Sequence, residues 1–192
     1  MSDYNIEDSI TEKNLQIAFV NESQARNKYT FFASAAKKEG FNQISDIFIS
    51  TANNEKEHAE LFYKYLSGRD VKIDFVFSSG IGDTLHNLKH AANGEHFEWS
   101  QLYKRFSKVA KEEGFDEIAD TFEKVSQVEK YHDERFCKLI KNIEEMLVFK
   151  KDKPVKWVCS NCGYIVNSME APFECPCCKH ERAYFELLCE NY

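Results

Sequence analysis

Two short segments of the chain carry the same pair of potential metal ligands at the same spacing. Glu55 and His58 form one Glu-x-x-His pair, and Glu129 and His132 form a second pair 74 residues later. In a helix, residues three apart lie on one face about one turn from each other, so both side chains of a pair can reach the same metal ion. The two pairs therefore predict metal binding by two helices.

Further carboxylates stand where helical periodicity would place core residues. Glu22, Glu95 and Glu98 each fall within an otherwise apolar stripe. A buried carboxylate without a partner destabilises a fold by roughly several kcal/mol, so a group of facing carboxylates requires cations between them. The candidate ligands are Glu22, Glu55, His58, Glu95, Glu98, Glu129 and His132. One Glu from each of two helices, with Glu-x-x-His from each of two others, is typical of ferritin-like di-iron and di-manganese bundles.

The helices that would position these ligands form an internal duplication. The segment AAKKEGFNQISDIF (35–48) recurs as VAKEEGFDEIADTF (109–122), and the same offset relates Tyr29 to Tyr103. Apolar periodicity and helix-end signals predict four helices, at about 9–39, 42–67, 81–112 and 116–147. Short turns within each half and a longer connection between the halves predict two antiparallel hairpins. The fold class we expect is mainly α, a ferritin-like four-helix bundle.

The duplication is out of step by one residue in the third helix. Glu22 lies seven residues before Tyr29, whereas Glu95 lies eight residues before Tyr103. A helix can absorb one extra residue as a π-bulge, and such bulges are frequent at functional sites. We therefore predict a π-bulge between Glu95 and Tyr103. Buried tyrosine hydroxyls need hydrogen-bond partners, and we expect ligand carboxylates to be the partners of both tyrosines.

A second group of candidate ligands lies in the last 34 residues. Cys159 and Cys162 form one CxxC pair, and Cys175 and Cys178 form another after an interval of twelve residues. This spacing predicts a tetrahedral four-cysteine site for zinc or iron, and the ligand type alone does not choose between the two metals. Zinc would make the tail a structural ribbon, whereas iron would make it a one-electron centre. The remaining cysteines, Cys137, Cys177 and Cys189, receive no role.

The chain is expected to divide into a bundle at residues 1–148, a charged linker at 149–154 and a small β-rich metal unit at 155–192. Pro154 disfavours helix at the residue before it, which supports a break in this region. A unit of about 38 residues is too small to fold by core burial alone and normally needs a metal.

Composition excludes several classes of protein. The 192 residues carry a formal net charge of −7, which argues against nucleic-acid binding. Apolar runs are too short for a membrane span and the polar start lacks a signal-peptide core, so we expect a soluble, cytoplasmic protein without a membrane partner. No Gly-rich dinucleotide-binding turn is present, so electrons from a nicotinamide cofactor would need a separate reductase.

These segments together resemble the rubrerythrin family along essentially the whole chain. The motifs in the helical part are NESQARNKYTFFA (21–33), NNEKEHAE (53–60), NGEHFEW (93–99) and VEKYHDERF (128–136). The motifs in the tail are WVCSNCGY (157–164), APFECPCCKH (171–180) and FELL (185–188). The resemblance implies a di-iron bundle followed by a small rubredoxin-like β-rich domain. One departure is Lys179, which follows the second CxxC where rubredoxins carry Gly.

The resemblance also implies an activity and a role for each candidate residue. The family's activity is that of a non-haem di-iron peroxidase, which reduces hydrogen peroxide to water and protects against oxidative stress. Glu55 and Glu129 would bridge the irons, Glu22 would bind one iron, and Glu95 with His132 would bind the other. Glu98 and His58 would be alternative ligands of the first iron, and Tyr29 and Tyr103 would bind ligand carboxylates. Cys159, Cys162, Cys175 and Cys178 would hold a mononuclear iron.

The partners that the resemblance implies are hydrogen peroxide, an electron-donating reductase or rubredoxin, and a second copy in a head-to-tail homodimer. Three alternatives stay open. A ferroxidase or iron-storage protein would share the bundle but would have no use for the four-cysteine tail. Manganese or zinc could fill Glu/His sites in place of iron. A non-enzymatic protein with two structural metal sites would have no need of a spare carboxylate.

Overall fold

The structure of the protein, a computed structural model, describes residues 5–191 except 67, 69 and 71, so the boundaries expected at residues 1, 67 and 192 lie outside the described residues. Its helices are α1 (Ile10–Lys38), α2 (Asn42–Tyr65), α3 (Thr84–Phe97), a π segment (Glu98–Leu102), α4 (Tyr103–Glu112) and α5 (Asp116–Glu144). Because α3, the π segment and α4 follow one another without a break, they form one long helix. The predicted four-helix bundle is confirmed. No helix among the described residues has both the length and the apolar character of a membrane span.

The two helical hairpins are closed by the same turn. Gly40 and Gly114 follow α1 and α4 with φ of 84° and 83°, a conformation that favours glycine. After each glycine, a phenylalanine N–H donates back into the helix, from Phe41 to the Ala36 carbonyl at 2.9 Å and from Phe115 to the Ala110 carbonyl at 2.8 Å. The internal duplication of the sequence is therefore also a duplication of the turn.

Two apolar layers fill the bundle, and the acidic residues lie between them. The layer on one side includes Phe62, Phe106 and Phe122, and the layer on the other side includes Phe32, Phe48 and Phe136. Along α1, for example, Ala18 belongs to the first layer and Ala25 to the second, with the buried Glu22 between them. The candidate ligands thus occupy a polar layer enclosed by aromatic side chains.

The tail forms an antiparallel sheet in the order β2-β1-β3, with β1 at Lys150–Cys159, β2 at Ile165–Glu170 and β3 at Phe185–Leu187. Its small core contains Trp157 and Phe185 together with Cys159 and Cys175. The segment 149–154, expected as a linker, lies in strand β1 from Lys150 onward. Pairing with β2 is irregular between Lys150 and Val155, because Pro154 in this stretch has no N–H to donate to a neighbouring strand.

Candidate metal centres

All seven candidate ligands of the bundle are buried in its polar layer. They are Glu22 from α1, Glu55 and His58 from α2, Glu95 from α3, Glu98 from the π segment, and Glu129 and His132 from α5. The exposed fraction of these residues is 7% or less. Helical periodicity explains this burial, because each ligand stands in the stripe that its helix turns toward the core. The sequence therefore brings acidic groups from every helix of the bundle to one place.

Six of these side chains form two groups that share two members. The first group is Glu22, Glu55, His58 and Glu129, and the second group is Glu55, Glu95, Glu129 and His132. Within each group, the possible ligand atoms lie within 4.8 Å of one another. Glu55 and Glu129 belong to both groups, which is the position that bridging carboxylates must occupy. Glu98 belongs to neither group.

The shared carboxylates each turn one oxygen toward each histidine. Glu55 places Oε2 at 2.9 Å and Glu129 places Oε1 at 2.8 Å from Nδ1 of His58. The opposite oxygens, Oε1 of Glu55 and Oε2 of Glu129, lie 3.2 and 2.8 Å from Nδ1 of His132. A carboxylate that bridges two metal ions presents one oxygen to each ion. The two histidines therefore mark two adjacent metal positions.

Hydrogen bonding within the protein leaves several of these buried atoms unsatisfied. Oε2 of Glu22, Oε1 of Glu55, Oε2 of Glu95, both oxygens of Glu129 and Nδ1 of His132 make no hydrogen bond of normal geometry with the described residues, although each Glu129 oxygen lies 2.8 Å from a histidine nitrogen. Buried polar atoms are normally paired, because an unsatisfied one carries its full desolvation penalty. Two divalent or trivalent cations would satisfy these atoms, so the residues present fit a di-metal centre.

The protonation of the cluster shows the same need for positive charge. Burial, reinforced by neighbouring carboxylates, raises the pKa of Glu22 to about 7 and holds the pKa values of Glu98 and Glu129 well above their usual range. Burial opposes the charged form of His132, yet the surrounding carboxylates outweigh it and raise its pKa to about 12. Protons thus supply, in the chain without metal, the positive charge that cations supply when bound.

Two buried tyrosines hold Glu22 and Glu95, the carboxylates that each belong to one group only, and each tyrosine binds the carboxylate of the other hairpin. Tyr29 on α1 donates its hydroxyl hydrogen bond to Oε1 of Glu95, and Tyr103 on α4 donates to Oε1 of Glu22. Burial, followed by the nearby negative charges, raises the pKa values of both tyrosines well above their usual range, so the hydroxyls remain donors. Each tyrosine leaves the second oxygen of its carboxylate available to a metal ion.

The predicted π-bulge is confirmed at Glu98–Leu102, where the N–H of Tyr103 donates to the carbonyl of Glu98, five residues earlier. The extra residue restores the inward direction of Tyr103 after Glu95. Glu98 is the first residue of the π segment. Its carboxylate accepts a hydrogen bond from the side-chain amide of Asn21. Glu98 is therefore buried beside the first metal group without belonging to it.

Two amides at the site were not identified from the sequence. Asn21 contacts Glu98, and Oδ1 of Asn54 lies 3.3 Å from Nε2 of His132. The signal available in the sequence was their place directly before the ligands Glu22 and Glu55. A polar residue next to a ligand is common on any exposed helix face, so this signal could not distinguish them.

The four cysteines of the tail form a site with tetrahedral dimensions. Sulfur atoms of Cys159 and Cys178 lie 3.7 Å apart, as do those of Cys162 and Cys175. A tetrahedron with metal–sulfur distances of about 2.3 Å has edges of about 3.8 Å, so the observed separations fit one metal ion. No disulfide joins them, and Cys177 lies outside the group with its side chain exposed.

Comparison with known proteins agrees with both sites. The family model described as Rubrerythrin matches residues 13–140, and the model described as Rubrerythrin, rubredoxin-like domain matches residues 157–186. Rubrerythrin of Clostridium perfringens is 52% identical over 187 residues, which cover 95% of this chain and 96% of that protein. Rubrerythrin of Porphyromonas gingivalis is 48% identical over 188 residues, covering 97% and 94%. The fully reduced, all-ferrous structure of nigerythrin aligns with a TM-score of 0.65 at 29% identity, covering 98% of this chain and 91% of that one.

The chain therefore belongs to the rubrerythrin family, whose members are generally redox enzymes. The resemblance, the ferritin-like fold and the rubredoxin-like tail are all confirmed. The cofactors expected for the family, a non-haem di-iron centre and a mononuclear iron, are matched by a carboxylate/histidine site and a four-cysteine site.

Proposed function

We propose that the chain is a non-haem di-iron peroxidase that reduces hydrogen peroxide to water and protects against oxidative stress. One molecule of peroxide takes up two electrons and two protons and yields two molecules of water. Iron held by the two ligand groups, which share Glu55 and Glu129, would supply the electrons for cleavage of the O–O bond. The observation that carries this proposal is the pairing, in one chain, of a buried di-metal ligand set with a four-cysteine site that suits one-electron transfer.

We propose a role for each of the candidate ligands, and the positions of the residues support these roles. Glu55 and Glu129 would bridge the metal ions, Glu22 would serve the first ion, and Glu95 with His132 would serve the second. His58 belongs to the first group and Glu98 lies beside that group, which supports our proposal that these two residues are alternative ligands of the first ion. Tyr29 and Tyr103 would fix the orientation of the terminal carboxylates. Cys159, Cys162, Cys175 and Cys178 would hold the mononuclear iron.

Electrons would reach the bundle through the tail. We propose that a separate NAD(P)H-linked reductase, or a rubredoxin, reduces the four-cysteine iron, which then passes electrons singly to the bundle. We further propose a head-to-tail homodimer in which the tail of one subunit serves the bundle of the other. The functional units would be a bundle at residues 1–148 and a tail at 155–192.

Reoxidation of the reduced protein tests this function. The purified, iron-loaded protein is reduced without oxygen until the visible colour of the four-cysteine iron disappears. Hydrogen peroxide and air are then added to separate samples. We expect colour to return rapidly with peroxide and slowly with air. Equal rates would contradict the peroxidase and favour an oxidase or iron-handling protein, and a protein colourless from the start would contradict iron in the tail.

A further inference from the structure

A cleft of about 440 Å³ lies where the end of α1 meets the second cysteine knuckle of the tail. Its walls include Lys37 and Lys38 from α1, and Cys178, Lys179 and Glu181 from the tail. The bundle and the tail also contact each other through Phe41, which follows α1, and Phe149, which precedes β1. Their rings are parallel within 5°, with centroids 6.3 Å apart. The cleft therefore brings residues distant in sequence next to a ligand of the four-cysteine site.

The charge of this cleft is opposite to that of the whole chain. Among the described residues that line it are three lysines, Lys37, Lys38 and Lys179, and one acid, Glu181, whereas the formal net charge of the chain is −7. Lysines at the C-terminal end of a helix interact favourably with the helix dipole, and this interaction alone explains the presence of Lys37 and Lys38. A further observation at Lys179 indicates that the positive charge has another purpose.

Lys179 has a backbone conformation that suits glycine. The two cysteine knuckles are equivalent, since Gly163 donates its N–H to the Cys159 carbonyl at 2.8 Å and Lys179 donates to the Cys175 carbonyl at 2.9 Å. Both residues are in the left-handed region, with φ of 77° for Gly163 and 63° for Lys179. A side chain is disfavoured in this region, so turn geometry does not explain the lysine. Its ion pair with Glu174, at 3.6 Å with both side chains well exposed, contributes little to stability.

The same cleft gives access to the metal site. Two of the four cysteine ligands, Cys159 and Cys175, are buried, whereas Cys178 is half-buried and lines the cleft. A protein bound in the cleft would therefore approach the iron through the sulfur of Cys178. Cys162 is also exposed, but it does not line this cleft among the described residues.

We propose that this cleft is the docking site of an acidic one-electron donor protein, whose carboxylates pair with Lys37, Lys38 and Lys179. The donor's ferrous centre would lose one electron, the ferric four-cysteine iron would gain it beside Cys178, and no proton or group would move. Complementary charge steers association and makes its rate depend on salt. The inference rests on the electron-transfer role proposed above for the tail.

Binding of an acidic rubredoxin to variants of the cleft lysines tests the docking site directly. The dissociation constant of the iron-loaded, full-length protein for an oxidised acidic rubredoxin is measured by calorimetry at low and high salt. We expect the double variant Lys37→Glu/Lys38→Glu to weaken binding about tenfold at low salt, and Lys179→Gly to weaken it about threefold. The difference from the wild type should shrink at high salt.

The duplication supplies a matched control. Lys111 is the equivalent of Lys37 in the second hairpin, and α4, in which it lies, ends beside the start of α1, where Glu113 binds the N–H of Thr11. The double variant Lys108→Glu/Lys111→Glu adds the same negative charge away from the cleft and should bind the rubredoxin nearly as the wild type does. Lys179→Gly relieves a disfavoured backbone conformation, so a fold defect is not expected, and an unchanged visible spectrum verifies the iron site.

Reduction kinetics give a second measurement. Loss of tail colour is followed after mixing with the reduced rubredoxin, and the rate should fall about tenfold in the Lys37→Glu/Lys38→Glu variant at low salt. Reduction by photoreduced deazariboflavin, a small neutral molecule, should not change. Equal dissociation constants in all variants would overturn the proposal. A change in oligomeric state with unchanged rubredoxin binding would also overturn it, because the cleft would then join copies of the chain. Neither measurement uses peroxide, so its outcome is separate from that of the peroxidase test.

Discussion

The Asn54 amide oxygen lies 3.3 Å from Nε2 of His132, on the side of the ring opposite the carboxylates that surround Nδ1. With Nε2–H donating to Asn54, the lone pair of Nδ1 is directed at the second metal group. Val128 occupies the equivalent position in the duplication, and its side chain cannot accept a hydrogen bond. His132 is therefore anchored by a group that the duplication does not provide for His58.

Replacing Asn54 with valine should weaken metal binding at the second group. The change copies Val128, and loss of a hydrogen bond that orients a ligand typically lowers metal affinity by about 10- to 100-fold. Competition with a chelator measures this affinity in the full-length protein. The neighbouring substitution Asn53→Val is the control and should have little effect. Equal affinity of the Asn54→Val variant and the wild type would show that His132 needs no anchor.

Removing the hydroxyl of Tyr103 or Tyr29 should destabilise the bundle. In Tyr103→Phe, an oxygen of the buried Glu22 loses its donor, and an unsatisfied buried acceptor lowers the free energy of unfolding by about 1–3 kcal/mol. Tyr29→Phe has the same consequence at Glu95. Urea unfolding measures the effect. Tyr131, with an exposed fraction of 58%, gives the control Tyr131→Phe, for which a change within about 0.5 kcal/mol is expected.

Without metal ions, the free energy of unfolding should depend on pH, because the buried carboxylate cluster then has to bind protons. Burial raises the pKa of Glu22 from 4.5 to about 7, so its contribution to stability is full below about pH 4.5 and is lost as the pH rises through about 7. Glu55 and His58 on α2 and Tyr103 on α4 face this carboxyl, and the pKa of His58 is raised as well, which acts in the same direction.

The free energy of unfolding of the chelator-treated protein should therefore fall between about pH 5 and pH 8. The iron-loaded protein should not show this decline, because cations replace the protons. Urea denaturation at several pH values compares the two forms, and Glu22→Gln in the metal-free form should reduce the decline. A metal-free protein that gains stability over this range would contradict the role of the buried carboxyls.

The register of the second cysteine knuckle can be tested with two adjacent residues. Cys178 lies 3.7 Å from Cys159 and belongs to the four-cysteine group, whereas Cys177 is exposed and outside it. Cys178→Ser should therefore abolish or strongly alter the visible spectrum of the tail. Cys177→Ser should leave the spectrum and the iron content unchanged. Loss of colour in the Cys177→Ser variant would contradict this register, because Cys177 would then be a ligand of the metal.

Glu98 should matter for turnover more than for metal content. Its carboxylate lies outside both ligand groups and is bound to Asn21, so Glu98→Gln should retain two irons per bundle in the reduced protein. The variant cannot offer an alternative anionic ligand, and its rate of oxidation by peroxide should fall by about tenfold or more. Metal analysis and stopped-flow mixing separate the two properties. A variant that loses one iron on purification would make Glu98 a permanent ligand.

The fold and the ligand groups were predictable because their causes are local. Apolar periodicity, glycine turns and the two Glu-x-x-His pairs each act over a few residues, and the displacement of Glu95 by one position was enough to predict the π segment. Asn54 was not predictable, since its contact with His132 joins α2 to α5 and nothing in its own helix requires it. The start of β1 at Lys150 was also missed, because a strand that begins with charged residues and contains a proline has the composition of a linker.

The one-residue insertion at the π segment also bears on how such a site can evolve. Two identical hairpins joined by gene duplication would build two equivalent metal positions, and neither position would be distinguished during a redox cycle. A single inserted codon in one copy lengthens that helix by one residue while Glu95 and Tyr103 keep the inward direction of Glu22 and Tyr29. A carboxylate at position 98 then has no acidic counterpart in the first hairpin, where Ala25 stands three residues after Glu22. Functional asymmetry is thus reached without the loss of a single inherited ligand.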